Sequence, residues 1–223
     1  MGLLVALDWF DSQNDAARLV DGLCSIVDGF KLGLPLLLSM GVRSARRLRS
    51  LCSRALWVGD MKLADIGSTM KLAARSVEGL FDAIIAHSFV GRRGALDELK
   101  EYLDSTGTKL VLVVAMSHPG SIEVYDAVLD KALKVAEELR PWGVVAPATR
   151  PSIIREARRR LPWATILAPG VGVQGARPGD ALCAGADYEI VGRLITRSPD
   201  PVGEARRVLG LQREALQRCR SQA

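Results

Sequence analysis

Apolar residues fall in eight short runs along the chain, at 3–9, 29–33, 56–62, 81–88, 109–116, 143–147, 164–168 and 188–192. Within each run they follow one another with little polar interruption, the pattern of a strand covered on both faces, as in a parallel sheet. Between the runs apolar positions recur about every 3.6 residues, as on one face of a helix. These stretches cover 15–26, 36–51, 69–77, 95–103, 122–139, 153–161, 178–184 and 203–217. Eight strand–helix units in 223 residues predict an α/β fold of the compact (β/α)8 kind, a TIM barrel. The alternative, an open doubly wound sheet, would carry Gly-x-Gly-x-x-Gly after its first strand. The first turn here is Asp8-Trp9-Phe10-Asp11, without a glycine. No linker or repeat divides the chain, so 1–223 reads as a single domain, with the tail after about residue 217 expected to fray.

In such a barrel the chemistry sits at the carboxyl ends of the strands, and the strand ends are where this sequence turns polar. The first run ends in Asp8, the second in Phe30-Lys31-Leu32-Gly33, and the third in Asp60-Met61-Lys62 followed by Asp65. The fifth ends in Met116-Ser117-His118-Pro119-Gly120. The seventh runs into Pro169-Gly170-Val171-Gly172-Val173-Gln174-Gly175, and the eighth into Gly192-Arg193. Side chains alternate along a strand, so Asp60 and Lys62 project to the same side. Charges crowded at the mouth of a hydrophobic strand are expensive unless paired or used. Read structurally, Asp60 and Lys62 form a pair and Asp65 caps the next helix. Read functionally, Lys31, Asp60 and Lys62 form a chain of alternating charge that keeps Asp60 ionised. A glycine-rich turn after strand seven, with an arginine after strand eight, is the usual phosphate position of these barrels.

Composition narrows the setting. Apolar residues make up 48% and charged residues 25%, ordinary for a globular protein. No apolar run is long enough to cross a bilayer. The first residues lack the basic start of a signal peptide, and Asp8 interrupts them, so a cytoplasmic protein without membrane contact is expected. Net charge is +5, yet only 7 of 30 basic residues are lysines, and the arginines cluster in helical stretches without aromatic neighbours. Solvated helix faces account for that better than nucleic-acid binding does. Cys24, Cys52, Cys183 and Cys219 are widely spaced, so neither a zinc site nor a disulfide framework is expected, and small buried side chains are the reading.

The run Asp-x-Lys-x-x-Asp-Ile from Asp60 to Ile66, with Asp8, Lys31, the turn at Ser117, the Pro169–Gly175 loop and Gly192-Arg193, resembles the orotidine 5′-phosphate decarboxylases in their short archaeal form. The resemblance covers nearly the whole chain. It implies decarboxylation of orotidine 5′-phosphate to UMP in de novo pyrimidine biosynthesis, without metal or organic cofactor. By that likeness Lys62 is the proton donor, and Lys31, Asp60 and Asp65 complete its charged network. Asp8 and Lys31 contact the ribose, Ser117 reads the pyrimidine, and Gln174 bridges base and phosphate. Gly170, Gly192 and Arg193 take the phosphate. Asp65, Ile66 and Thr69 reach into the site of a second subunit, which implies a homodimer. Asp60 set near a substrate carboxylate would repel it by roughly 4 kcal/mol at ~4 Å and an effective dielectric near 20. That stress would vanish as CO2 leaves. His118 is expected to shape the Ser117 turn, and His87 to be a satisfied strand-end residue.

Two rival readings share parts of this pattern. The magnesium-dependent sugar-phosphate relatives also carry Asp-x-Lys-x-x-Asp, but they need a carboxylate on strand two as an oxygen ligand. Lys31 stands there instead. A barrel that binds phosphate only as a regulatory dimer would not need the complete charged set.

Overall fold

The structure is a computed structural model, and it describes residues 2–221. Eight parallel strands close into a barrel in chain order: β1 Gly2–Leu7, β2 Gly29–Gly33, β3 Leu56–Leu63, β4 Ala83–His87, β5 Lys109–Val113, β6 Gly143–Val145, β7 Thr165–Pro169 and β8 Tyr188–Val191. Closure comes from β1 pairing with both β2 and β8. The chain is a single TIM barrel, as the run pattern predicts.

The two-residue period of each strand divides its side chains between two cores. Leu4 and Ala6, Val58, Ile85, Val111 and Val113, Val145, Leu167 and Ile190 fill the barrel interior. Their alternate neighbours, such as Leu3, Val5, Phe30, Trp57 and Val191, pack outward against the helices. Burying a side chain of this size stabilises by about 1.5–3 kcal/mol, so a shift of one residue in any strand would exchange core for rim.

Around the barrel lie α1 Gln13–Leu23, α2 Leu34–Ser50, α3 Gly67–Ser76, α4 Asp97–Ser105, α5 Leu129–Leu139, α6 Pro151–Arg160, α7 Asp180–Cys183, α8 Arg193–Thr196 and α9 Pro201–Arg220. Their starts are written locally. Ser12 accepts a hydrogen bond from Asp15 N at 3.2 Å to cap α1, and Asp200 accepts one from Gly203 N at 2.9 Å to cap α9. Proline occupies the first turn of α2, α6 and α9, where its missing N–H leaves no unmet bond.

Several boundaries differ from the sequence expectation. The helix expected over 122–139 begins only at Leu129. The preceding stretch folds into two short 3-10 turns, Pro119–Ile122 and Asp126–Val128. Tyr125, between those turns, is drawn into the interior core, and Arg150 grips the Asp126 carboxylate with two nitrogens, the second at 2.6 Å. These long-range contacts outweigh local helix preference. Arg193 opens a short helix that the sequence reading lacked. The last helix continues to Arg220, and the end of the expected frayed tail, residues 222 and 223, lies outside the described residues. Among the described residues no helix is long and apolar enough to cross a membrane.

The cysteine expectation needs correction. Cys24 is bonded to Cys52, and Cys183 to Cys219, with Cα atoms 5.5 and 6.1 Å apart. The partners are 28 and 36 residues apart in the chain, and only the barrel brings α1 beside the end of α2, and α7 beside α9. Of the four, Cys52 alone is buried as expected, at 1% exposed; Cys24 and Cys219 are half-buried and Cys183 is exposed.

Candidate active site

The interior alternation of β3 continues past Val58 to Asp60 and Lys62, so the strand's inward face turns from apolar to charged at its carboxyl end. The same step occurs on β2 at Lys31 and just beyond β1 at Asp8. Lys31 Nζ donates to Asp8 Oδ1 and to Asp60 Oδ2, each at 2.8 Å. Lys62 Nζ donates to Asp60 Oδ1 at 2.7 Å and Oδ2 at 2.8 Å. The order of charges is Asp8, Lys31, Asp60, Lys62.

Lys62 adopts φ 43°, one of two positive-φ residues other than glycine among the described residues. The pairing of β3 with β4 slips in register between Gly59 and Leu63, and the unusual backbone sits in that slip. A lysine in the left-handed region costs roughly 1 kcal/mol or more, so surrounding structure must hold it there. The Asp60 carboxylate provides one such hold.

Burial sets the electrostatics. Lys31 and Asp60 expose only 10% and 9% of their side chains, whereas Lys62 exposes 42% and Asp8 57%. Burial alone would pull the Lys31 ammonium down, but the Asp60 carboxylate, and then Asp8, outweigh it and hold Lys31 above the ordinary lysine range. Burial likewise would push Asp60 up, and Lys31 followed by Lys62 brings it below the ordinary carboxylate range. Both groups are charged at neutral pH. Asp60 is therefore a fixed anion, and the partly exposed Lys62 is the cation facing open space.

That space is a cavity of about 600 Å³. Asp8, Lys31, Asp60 and Lys62 line one side, and Ser117 and His118 come from the turn after β5. Gly170, Gln174, Gly192 and Arg193 line the opposite rim. Gly170 and Gly172 stand at φ 114° and 83°, a backbone that only glycine adopts freely, and Gly175 N closes the turn on Gly172 O at 2.8 Å. Arg193 is exposed and makes no ion pair among the described residues. An anion entering there would meet an unengaged guanidinium. Apolar Ile85, Val113, Val145 and Ile190 form the floor, so the charged wall works against a low-dielectric base. Two other concavities of similar volume, beside Trp9 and Arg197 and beside Arg177 and Arg207, include no buried charged side chain.

Nine of the expected site residues thus share one cavity. Asp65, Ile66 and Thr69 do not line it. Asp65 Oδ1 accepts from Ile66 N at 2.7 Å, so the carboxylate neither caps α3 at the expected position nor joins the charged chain within its own subunit. All three are exposed, Ile66 to 61%. His118 lines the cavity as well as shaping its turn. His87, at the end of β4, turns Nδ1 to the Tyr125 hydroxyl. Burial, with Lys62 second, keeps it below the ordinary histidine range. Among the described residues no three His, Cys, Asp or Glu side chains cluster as a metal ion would require. Sequence reasoning missed Tyr125 and the buried Glu189 in β8, for which the one available signal was a carboxylate inside the run Tyr-Glu-Ile-Val.

The family model described as orotidine 5′-phosphate decarboxylase / HUMPS family matches residues 1–208. A protein of Aeropyrum pernix named orotidine 5′-phosphate decarboxylase is 56% identical over 200 residues, covering 89% of this chain and 81% of that protein. One of Pyrococcus horikoshii with the same name is 40% identical, covering 89% and 93%. Among solved structures, the orotidine 5′-monophosphate decarboxylase of Sulfolobus solfataricus superposes with a TM-score of 0.89 at 36% identity, covering 96% of this chain and 98% of that one. That of Methanocaldococcus jannaschii, complexed with the inhibitor BMP, gives 0.88 at 32% identity, covering 94% and 98%.

Proposed function

Since the chain belongs to the orotidine 5′-phosphate decarboxylase / HUMPS family, we propose that this cavity takes orotidine 5′-phosphate and releases UMP and CO2, in the short archaeal form of that enzyme. The observation that carries the reading is the order Asp8, Lys31, Asp60, Lys62 at the mouth of a cavity whose far rim offers Arg193.

With the phosphate on Arg193 and the Gly170 and Gly192 backbone, the nucleotide spans the cavity toward the charged wall. Gln174 bridges phosphate and base, Ser117 reads the pyrimidine edge, and Asp8 and Lys31 hold the ribose. The substrate carboxylate then lies against Asp60. The bond from C6 to the carboxylate carbon breaks, CO2 leaves, and the electron pair stays on C6. Lys62 stabilises that pair electrostatically and donates its Nζ proton to C6, completing UMP. Lys62 regains a proton from solvent. Stabilisation of the developing carbanion carries more weight here than relief of the Asp60 repulsion, because a cation held in place before reaction needs no reorganisation during it. No metal or cofactor enters this scheme.

The exposure of Asp65, Ile66 and Thr69, all outside their own cavity, supports a homodimer in which they complete the partner's site. A cytoplasmic setting accords with pyrimidine biosynthesis. It accords with two disulfides as well in the disulfide-rich cytosol of hyperthermophiles.

Mixing purified protein with orotidine 5′-phosphate and following the loss of its ultraviolet absorbance tests the reading. Turnover in the presence of a chelator is expected, and Arg193→Ala should raise KM for the phosphorylated substrate while sparing the bare nucleoside. Turnover only of a sugar phosphate, and only with magnesium, would assign the chain to the other branch of the family. No turnover with tight binding of a UMP analogue would make it a binding protein.

A further inference from the structure

Glu189 is completely buried, at 0% exposure, and takes no part in the chemistry above. It lies on β8 between Tyr188 and Ile190. Since Ile190 faces the barrel interior, Glu189 faces the helix layer. No cation pairs with it among the described residues. Its carboxylate instead accepts from Gly179 N at 2.9 Å on both oxygens, from Ala181 N at 3.1 Å and from Gln212 Nε2 at 2.9 Å. Gly179 ends the loop that begins at Gly170. Its φ of 94° and the 2.3 Å that would separate an added Cβ from Ala215 Cβ show how closely that end is pressed onto α9. Gln212, the second support, is itself 3% exposed. Three residues beyond Glu189 comes Gly192, and then Arg193.

A buried carboxylate without a cation is costly, and an apolar side chain would fill the same space without that penalty. The hydrogen bonds reveal what the carboxylate does: it joins the stem of the glycine loop to the strand that delivers Arg193. We propose that Glu189 is a positioning residue for phosphate recognition, holding the Gly170–Gly179 loop and the Gly192-Arg193 step at the separation a phosphate group requires. It touches neither the substrate nor the reacting atoms. This inference rests on the decarboxylase reading above.

The test compares orotidine 5′-phosphate with orotidine, which lacks the phosphate, in wild type, Glu189→Gln and Gln212→Leu. The glutamine variant keeps the shape but leaves one acceptor oxygen where there were two, so in either orientation its NH2 faces the Gly179 N–H donor. KM for the phosphorylated substrate should rise about tenfold, with kcat little changed and kcat/KM for orotidine within about twofold of wild type. Gln212→Leu should shift the same parameter in the same direction by less, and it carries the test if Glu189→Gln does not fold. Equal losses on both substrates would reduce Glu189 to a general structural role and overturn the proposal, as would an unchanged KM in a folded variant. Wild-type protein inactive on orotidine 5′-phosphate would defeat the underlying reading instead, before any variant is made.

Discussion

Lys62 reaches Asp60 from two residues further along the same strand, its ammonium 2.7 Å from one carboxylate oxygen and 2.8 Å from the other. The contact fixes a partly exposed cation against a buried anion. Lys62→Ala should therefore lower turnover by at least ~10³-fold, the scale of losing both a proton donor and a charge aimed at the transition state. Thermal unfolding should stay cooperative, since Lys62 is partly exposed and Asp60 keeps Lys31. Steady-state rates and a melting curve on one preparation check both halves, and near-normal turnover would remove Lys62 from the mechanism.

Asp60→Asn should destabilise the fold by about 3 kcal/mol, because Lys31 is buried and loses its buried partner while keeping only the more exposed Asp8. The pH dependence has a definite sign. Asp60 is held below its usual range, so its contribution is present above that range and lost as pH falls through the folded value. Lys31 is held above its usual range, so its contribution is present below that range and lost as pH rises through the folded value. The Lys31–Asp60 pair thus stabilises fully between roughly pH 4 and pH 10. Denaturant titrations at several pH values should show a shallower acid limb in the variant.

His87 is kept neutral by burial and by Lys62, so the unfolded chain takes up a proton at a pH where the folded chain does not. Stability should fall as pH drops below about 6.5 and level off past the lower folded value. His87→Phe, which preserves the ring against Phe89 and Tyr125, should flatten that slope. An unchanged slope would mean that other groups control it.

The two disulfides close loops of 28 and 36 residues, and each should contribute about 3 kcal/mol. Reductant should lower the melting temperature by roughly 5–10 °C per bridge in a chain of this size. Calorimetry of Cys24→Ser and Cys219→Ser with and without reductant would assign the two shifts separately. A wild-type melt indifferent to reductant would mean that the bridges do not form.

Equal amounts of Lys62→Ala and Asp65→Asn chains, unfolded and refolded together, should recover about a quarter of wild-type activity if sites are shared between subunits. Half the dimers are then mixed, and each holds one intact site of two. Activity no higher than the two variants measured apart would place Asp65 outside the neighbour's site.

Strand periodicity carried most of this architecture. Val58, Asp60 and Lys62 share an inward face because alternation continues to the strand end, and the change from apolar to charged marks where the barrel opens. The glycines at 170 and 172 announced their turn for the same local reason. What local pattern could not reveal depends on contacts between distant segments. The pull of Tyr125 into the interior shortened α5, and both cysteine pairs needed the closed barrel to meet. Glu189 goes unread in the sequence, because its hydrogen bonds come from α9 and the loop end, which only the fold sets around it. Asp65 was expected to reach the site of a second subunit, and its exposure outside its own cavity is visible only in three dimensions.

The buried Lys31–Asp60 contact has a consequence for any attempt to toughen this protein. Ion pairs enclosed in a core can often be exchanged for well-packed hydrocarbon with a gain in robustness. A screen that rewards heat resistance alone would then drift toward leucine or methionine at these two positions. It would retain a handsomely folded barrel with nothing left to hold the working lysine, so selection must score turnover alongside survival.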